Sequence, residues 1–186
     1  MDIGILMTKG LALVTVLGNI ASIGVFGLFL FARSRYESFM RFVAAWALPL
    51  GFFLAFGSTA GSLLYSEVMG FPACILCWIQ RIFMYPQMFL YWLALYRRDA
   101  HIAPYGLLLS VLGGAVALYQ WVKDMIAQYS DGLVIPCPAV EGLPSCDTIY
   151  VWEFGYVSIP MIALNAFVLI GIVMFASIRY GGHAKR

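Results

Sequence analysis

Long uncharged stretches dominate this chain and set its architecture. No charged residue stands between positions 10 and 32, 42 and 66, 100 and 122, or 154 and 178, each a run of 23 to 25 residues. Between 68 and 96 only Arg81 interrupts. A helix rises about 1.5 Å per residue, so about 20 residues cross the roughly 30 Å hydrocarbon layer of a bilayer. The pattern predicts five crossings, near 10–32, 42–65, 75–96, 102–122 and 158–178. No internal repeat or low-complexity tract breaks the succession.

The flanking charges orient these spans. Arg33, Arg35 and Arg41 lie between the first two, Arg97 and Arg98 between the third and fourth, and Arg179, Lys185 and Arg186 after the fifth. Five spans put these three places on one side, which the positive-inside rule makes cytoplasmic. The N-terminus is then outside, with Lys9, Glu67, Lys123, Asp124, Asp131, Glu141, Asp147 and Glu153. The first apolar run is longer than a signal peptide's usual apolar region, and Phe31-Ala32-Arg33-Ser34-Arg35 is no small-residue cleavage site. It reads as a retained span. The outer stretch 123–157 is rich in Gly, Pro, Asp and Ser up to Asp147. Tyr150, Trp152, Phe154 and Tyr156 then alternate, as in an interfacial belt. Ser158 is placed to cap the last span, and Pro160 fits its first turn.

Composition strengthens this reading. The 186 residues are 63% hydrophobic and 11% charged, against about 45–50% and about 25% in soluble domains. The expectation is an all-α integral membrane protein, with lipid around it and no room for a separate soluble catalytic domain. A net charge of +2 gives no reason to expect a nucleic-acid partner.

The reactive inventory is four cysteines. Cys74-Ile75-Leu76-Cys77 opens the third span at its outer mouth, while Cys137 and Cys146 lie in the second outer loop. Charge topology therefore puts all four on the oxidising side of the membrane. A C-x-x-C at a helix start places its first thiol near the partial positive charge of the helix N-terminus. Cys74, Cys77 and Arg81 (i, i+3, i+7) share one helix face. The guanidinium there can stabilise a thiolate or a reduced, anionic acceptor, at a depth a lipid-soluble oxidant reaches. Cys137 and Cys146 enclose eight residues, with Pro136, Pro138 and Pro144 restricting the loop. That pair is expected to move relative to the bundle and to face water and an external protein.

Bland readings stand beside the redox one. Four extracytoplasmic cysteines also suit two structural disulfides, or a zinc site lacking the usual second C-x-x-C. Arg81 could snorkel to headgroups. Asn165, mid-span, reads as an interhelical hydrogen-bonding residue. His101 and His183 fall on the side away from the cysteines, and the methionines read as packing.

Cys74-x-x-Cys77-x-x-x-Arg81 at the outer start of a span, with a second cysteine pair in the next outer loop, resembles the DsbB family of membrane thiol–quinone oxidoreductases. Ser158-Ile159-Pro160-Met161-Ile162-Ala163-Leu164 is similar to that family as well. The resemblance implies an antiparallel four-helix transmembrane bundle over 42–178, preceded by an extra N-terminal transmembrane helix and cytoplasmic loop (1–41) and followed by a cytoplasmic tail (179–186). It implies a bacterial cytoplasmic membrane, a ubiquinone or menaquinone cofactor, and an extracytoplasmic thioredoxin-fold (DsbA-like) partner. By matching position, Cys77 would engage the quinone with support from Arg81. Cys137 would be attacked by the partner's thiol, and Cys146 would exchange with Cys74. The short interval between Cys137 and Cys146 is closer to the small Gram-positive oxidases. A vitamin K epoxide reductase-like bundle places its quinone-facing pair last, whereas here the C-x-x-C comes first. A scaffold with two structural disulfides gives no reason for Arg81 below a C-x-x-C.

Overall fold

A computed structural model of the chain describes residues 3–130, 137 and 142–181. Asp131, Pro136, Pro138, Glu141, His183, Lys185 and Arg186 lie outside the described residues. The helices are α1 (Ile3–Phe31), α2 (Arg33–Ala45), α3 (Ala47–Leu63), α4 (Ile75–Arg97), α5 (Ala103–Tyr129) and α6 (Ile159–Tyr180). A single π turn, Leu64–Val68, prolongs α3. The protein is an all-α membrane protein. α3, α4, α5 and α6 pack in a closed ring of four, each against the next and α6 against α3, while α1 rests on α6 and α2.

Among the described residues, Leu6–Phe31, Ala47–Val68, Ala103–Tyr129 and Ile159–Tyr180 are long and apolar enough to cross a membrane. The fifth expected crossing, α4, has 23 residues, about 35 Å of helix. Gln80, Arg81, Gln87 and Arg97 make it less apolar, and its place is set by packing between α3 and α5. Large apolar side chains such as Leu13, Phe53, Phe89, Val111 and Phe175 point outward, a surface suited to lipid rather than water.

Three local departures from the sequence reading have physical causes. The expected span 42–65 is broken at Trp46, whose N–H bonds Val43 O three residues back. Pro49 lacks an N–H, and its ring excludes the carbonyl four residues before it, so α2 stops and α3 starts afresh. The fourth span does not end at 122: α5 runs on to Tyr129 and carries Lys123 and Asp124 into the interior, each 3% exposed. Ser158 does occupy the N-cap position of α6, but its side chain makes no capping hydrogen bond.

Small residues let the helices approach closely. Gly113 of α5 faces the buried ring of Phe167 on α6, and an added methyl there would collide with it. Gln87 Oε1 accepts hydrogen bonds from Tyr91 OH (2.8 Å) and Ser110 Oγ (3.1 Å), tying α4 to α5 inside the core. Asn165 acts as an interhelical residue: its Nδ2 donates to Thr15 O on α1 at 3.0 Å. The alternating aromatics pack on the cysteine-bearing end of the bundle, Tyr150 against Phe71 at 5.0 Å and Trp152 against Tyr129 at 6.2 Å.

Gly113→Ala is expected to destabilise the bundle by about 1–3 kcal/mol through overpacking against Phe167. Gly114→Ala, whose methyl would meet Phe167 only at ordinary contact distance (3.5 Å), should stay near wild type. Thermal unfolding midpoints in detergent micelles check the pair; equal midpoints would contradict the packing described.

Candidate active site

The connector from α3 to α4 brings the first cysteine pair to the same end of the bundle as the loop between α5 and α6. Gly70 takes a left-handed conformation (φ 68°), which a side chain would strain. Phe71 stacks between Tyr65 and Tyr150, at 6.1 and 5.0 Å. That three-ring stack fastens the connector to the π turn that prolongs α3 on one side and to the loop between α5 and α6 on the other. Cys74 then caps α4 with extended backbone, and its carbonyl accepts the N–H of Trp78.

Cys74 and Cys77 are free thiols with their sulfurs 3.4 Å apart. Cys74 is buried and Cys77 partly so. Between them and the interior lies Gln120 of α5, whose Nε2 faces both sulfurs at 3.5 and 3.6 Å. Gln80 Nε2 donates to Gln120 Oε1 at 2.8 Å and so fixes which way that amide points. At the N-cap, outside the helix proper, hydrogen bonding with Cys77 lowers the Cys74 thiol from the usual cysteine range to about 6, and the Gln120 amide adds to this. These contacts favour the thiolate form of Cys74.

The second pair is joined: Cys137 and Cys146 form a disulfide, with Cα atoms 6.0 Å apart. The expectation of a pair standing off in water is corrected. Cys146 is 3% exposed and packs in one cluster with Cys74 and Leu76, against which Cys77 and Cys137 also lie. The cause is Lys123. Its buried ammonium donates to Cys146 O at 2.8 Å and to Asp147 Oδ1 at 2.9 Å, drawing the loop down onto α5. Asp124 Oδ1 lies 4.0 Å from the same nitrogen. At the surface, the Ser145 hydroxyl and then Lys123 hold the Asp147 carboxyl below its usual range.

Arg81 lies one turn below Cys77. Its Nε donates to Ser62 Oγ at 3.0 Å and its Nη2 to Ser62 O at 3.3 Å, while its guanidinium covers the Trp78 ring at 5.1 Å. The charge is thus turned toward α3 by a defined partner rather than left to headgroups. Cys74, Cys77, Arg81 and Cys146 all border one cavity of about 350 Å³. Ser62, Gln80 and Gln120 line the same end, and Phe53, Leu54, Met84 and Phe167 line the apolar remainder.

All five site residues expected from the sequence thus meet in one place: Cys137 joins it through its disulfide and the other four border the cavity. Gln80, Gln120, Lys123 and Ser62 were not among them. A signal for two of these exists in the sequence: Gln120 and Lys123 (i, i+3) share a face near the C-terminal end of an otherwise apolar span. Lys123 instead looks like the loop charge that ends a span.

Comparison with known proteins shows the family to which the chain belongs. Residues 44–177 match the family model described as disulfide bond formation protein DsbB. The chain is 39% identical over 127 residues to a probable disulfide formation protein C 1 of Bacillus anthracis, covering 67% of this chain and 86% of that one. A probable disulfide formation protein C of Bacillus cereus is 38% identical over 136 residues, 72% of this chain and 93% of its own. The disulfide bond formation protein C of Bacillus subtilis is 36% identical over 114 residues, 61% and 79% of the two chains. No solved structure matches the chain.

Lys123→Met removes both bonds that hold Cys146 down. The Cys137–Cys146 disulfide should then be reduced several-fold faster by a water-soluble phosphine, followed by mass-tagging of the released thiols. An unchanged rate would show that Lys123 does not position the loop.

Proposed function

The chain belongs to the DsbB family of disulfide bond formation proteins, and from that membership we propose that it is a thiol oxidase passing electrons from an external dithiol protein to a membrane quinone. The coarse role, an oxidoreductase in disulfide bond formation that works with a thiol–disulfide partner, comes with the family and its relatives' names. One observation carries the finer reading: a disulfide, a C-x-x-C dithiol and an arginine converge on one cavity, with Cys146 in the same buried cluster as Cys74 and Leu76.

The residues present suit a quinone. The cavity offers Arg81, Ser62 and Gln120 as donors near Cys77, and an apolar wall beyond them. That division fits a ring with two carbonyl oxygens and a hydrocarbon tail. Bound there, a ubiquinone or menaquinone supplies the sink for two electrons and two protons.

The protein's own sulfurs do the rest by thiol–disulfide exchange. A thiolate of a reduced thioredoxin-fold (DsbA-like) partner attacks Cys137, and Cys146 leaves as thiolate. The partner's second thiol then releases Cys137, and the partner departs oxidised. Cys146 attacks Cys74 of the oxidised C-x-x-C, Cys77 leaves, and Cys137 closes on Cys146 to free Cys74. Two electrons now reside on Cys74 and Cys77. With a quinone bound, Cys77 would be the sulfur beside it, Arg81 would offset the negative charge it gains, and Cys74 would close the disulfide onto Cys77 as the two electrons pass to the quinone.

The orientation that serves this chemistry is the one the charges suggest: N-terminus and cysteines outside a bacterial cytoplasmic membrane, C-terminus inside. On this reading 42–178 is the catalytic bundle, 1–41 an added helix and loop, and 179–186 a tail.

The test is turnover by the purified protein with a reduced thioredoxin-fold dithiol protein and a soluble quinone, followed by quinone absorbance. Wild type should turn over, and Cys77→Ser and Cys74→Ser should each lose activity by at least a hundredfold, because each breaks an obligatory sulfur chain. Arg81→Ala should raise the apparent KM for quinone while the quinone-independent oxidation of one partner equivalent persists. Turnover by Cys77→Ser, or none by wild type with either quinone class, would overturn the assignment.

A further inference from the structure

The cavity has a wall that the four-helix core does not provide. Residues 44–177 account for the family match, yet Leu11, Val14 and Thr15 of α1 also line the cavity. α1 lies close to α3 there: a methyl on Gly61 would meet Leu11 Cδ2 at 3.8 Å. On its other flank α1 is fastened to α6. Asn165 Nδ2 donates to Thr15 O, and Gly18 leaves room for that amide, which any added methyl would strike. Thr15 is 2% exposed and Asn165 6%. The Asn165 Oδ1 atom is buried without a hydrogen-bond partner among the described residues, and Asn165 borders the cavity.

Exposed residues among the lining fall into two groups. Pro72, Ser145, Thr148 and Tyr150 belong to the outer loops, where a protein partner arrives. Val14 (64% exposed), Phe53 (67%) and Gly57 lie within the spans, on α1 and α3. Gly57 and Phe53 are five and nine residues before Ser62 on α3, hence about 8 and about 14 Å deeper along the helix. Below the Arg81–Ser62 pair the cavity lining therefore includes side chains that also face the lipid side of the bundle.

The geometry points to α1 as a structural part of the acceptor site: with α3 it frames a lateral opening through which the hydrocarbon tail of a quinone leaves the cavity. This rests on the thiol–quinone reading for the identity of the occupant. The ring end lies by Cys77 and Arg81, and the tail runs down past Leu11 and Thr15 and out between Val14 and Phe53. The added N-terminal helix thus replaces lipid along one side of the site and selects for tailed acceptors.

Two measurements test this on the full-length protein. The first uses a photoactivatable quinone bearing an alkyl tail, irradiated with detergent-solubilised protein and mapped by peptide mass spectrometry. Adducts on Leu11, Val14 or Thr15 that excess unlabelled tailed quinone suppresses are expected. Adducts confined to α3–α6, adducts only on lipid-facing positions such as Leu13 and Leu17, or no suppressible adduct at all would overturn the proposal. The second compares apparent KM values for long-tailed and short-tailed quinones. Val14→Trp should raise the long-to-short ratio about tenfold, and Gly18→Leu, which levers α1 off Asn165, should alter the same ratio. Leu17→Trp on the lipid side should leave it at the wild-type value. An unchanged ratio in both Val14→Trp and Gly18→Leu would contradict the role of α1. Suppressible α1 adducts in a protein that never reduces quinone would instead retire the oxidase reading and leave this binding site standing.

Discussion

Lys123 donates from its buried ammonium to the carbonyl of Cys146, and the relation of the two cysteine pairs depends on that bond. A buried ammonium is costly unless its donors are satisfied. Here the Cys146 carbonyl and the Asp147 carboxylate take two of them, and Asp124 lies within ion-pair reach. The loop can satisfy that charge only by coming down onto α5, which brings Cys146 into one buried cluster with Cys74 and Leu76. The requirement to pair one buried cation thus becomes the proximity of two sulfur pairs far apart in sequence.

The same physics governs the remaining polar groups of the site. In a medium of low effective dielectric, hydrogen bonds gain strength and unpaired polar groups become expensive. Gln80 therefore holds Gln120, and Gln120 directs its N–H groups at the sulfurs of Cys74 and Cys77. Ser62 receives Arg81 from across the α3–α4 seam. Each partner is on a different helix from the group it fixes, so the site is assembled only when the bundle is. The apolar bulk of the chain supplies the walls, and a few paired polar side chains supply direction.

Much of this was legible in the sequence because charge is so strongly excluded from hydrocarbon. The gaps between charges marked the helices, and the C-x-x-C and Arg81 fell on one face by helical periodicity alone. What was not legible followed from long-range pairing. Lys123 and Asp124 look like the end of a span, and only the fold shows that α5 continues through them with both side chains buried. The break at Trp46 did have a local signal in Pro49, which the continuous apolar run concealed. The buried cluster that holds Cys146 and Cys74 joins residues 72 positions apart, and no spacing rule encodes it. Nor could periodicity place α1 against the cavity, since that depends on Gly18 and Asn165 meeting across two helices.

The central claim is that Cys146 and Cys74 exchange directly. A Cys77→Ser, Cys137→Ser double variant leaves only those two thiols, and mild oxidation followed by peptide mapping reads their state. The account predicts a Cys74–Cys146 disulfide in most molecules without any change in helical content. Two thiols that stay free, or that pair only between separate molecules, would contradict it.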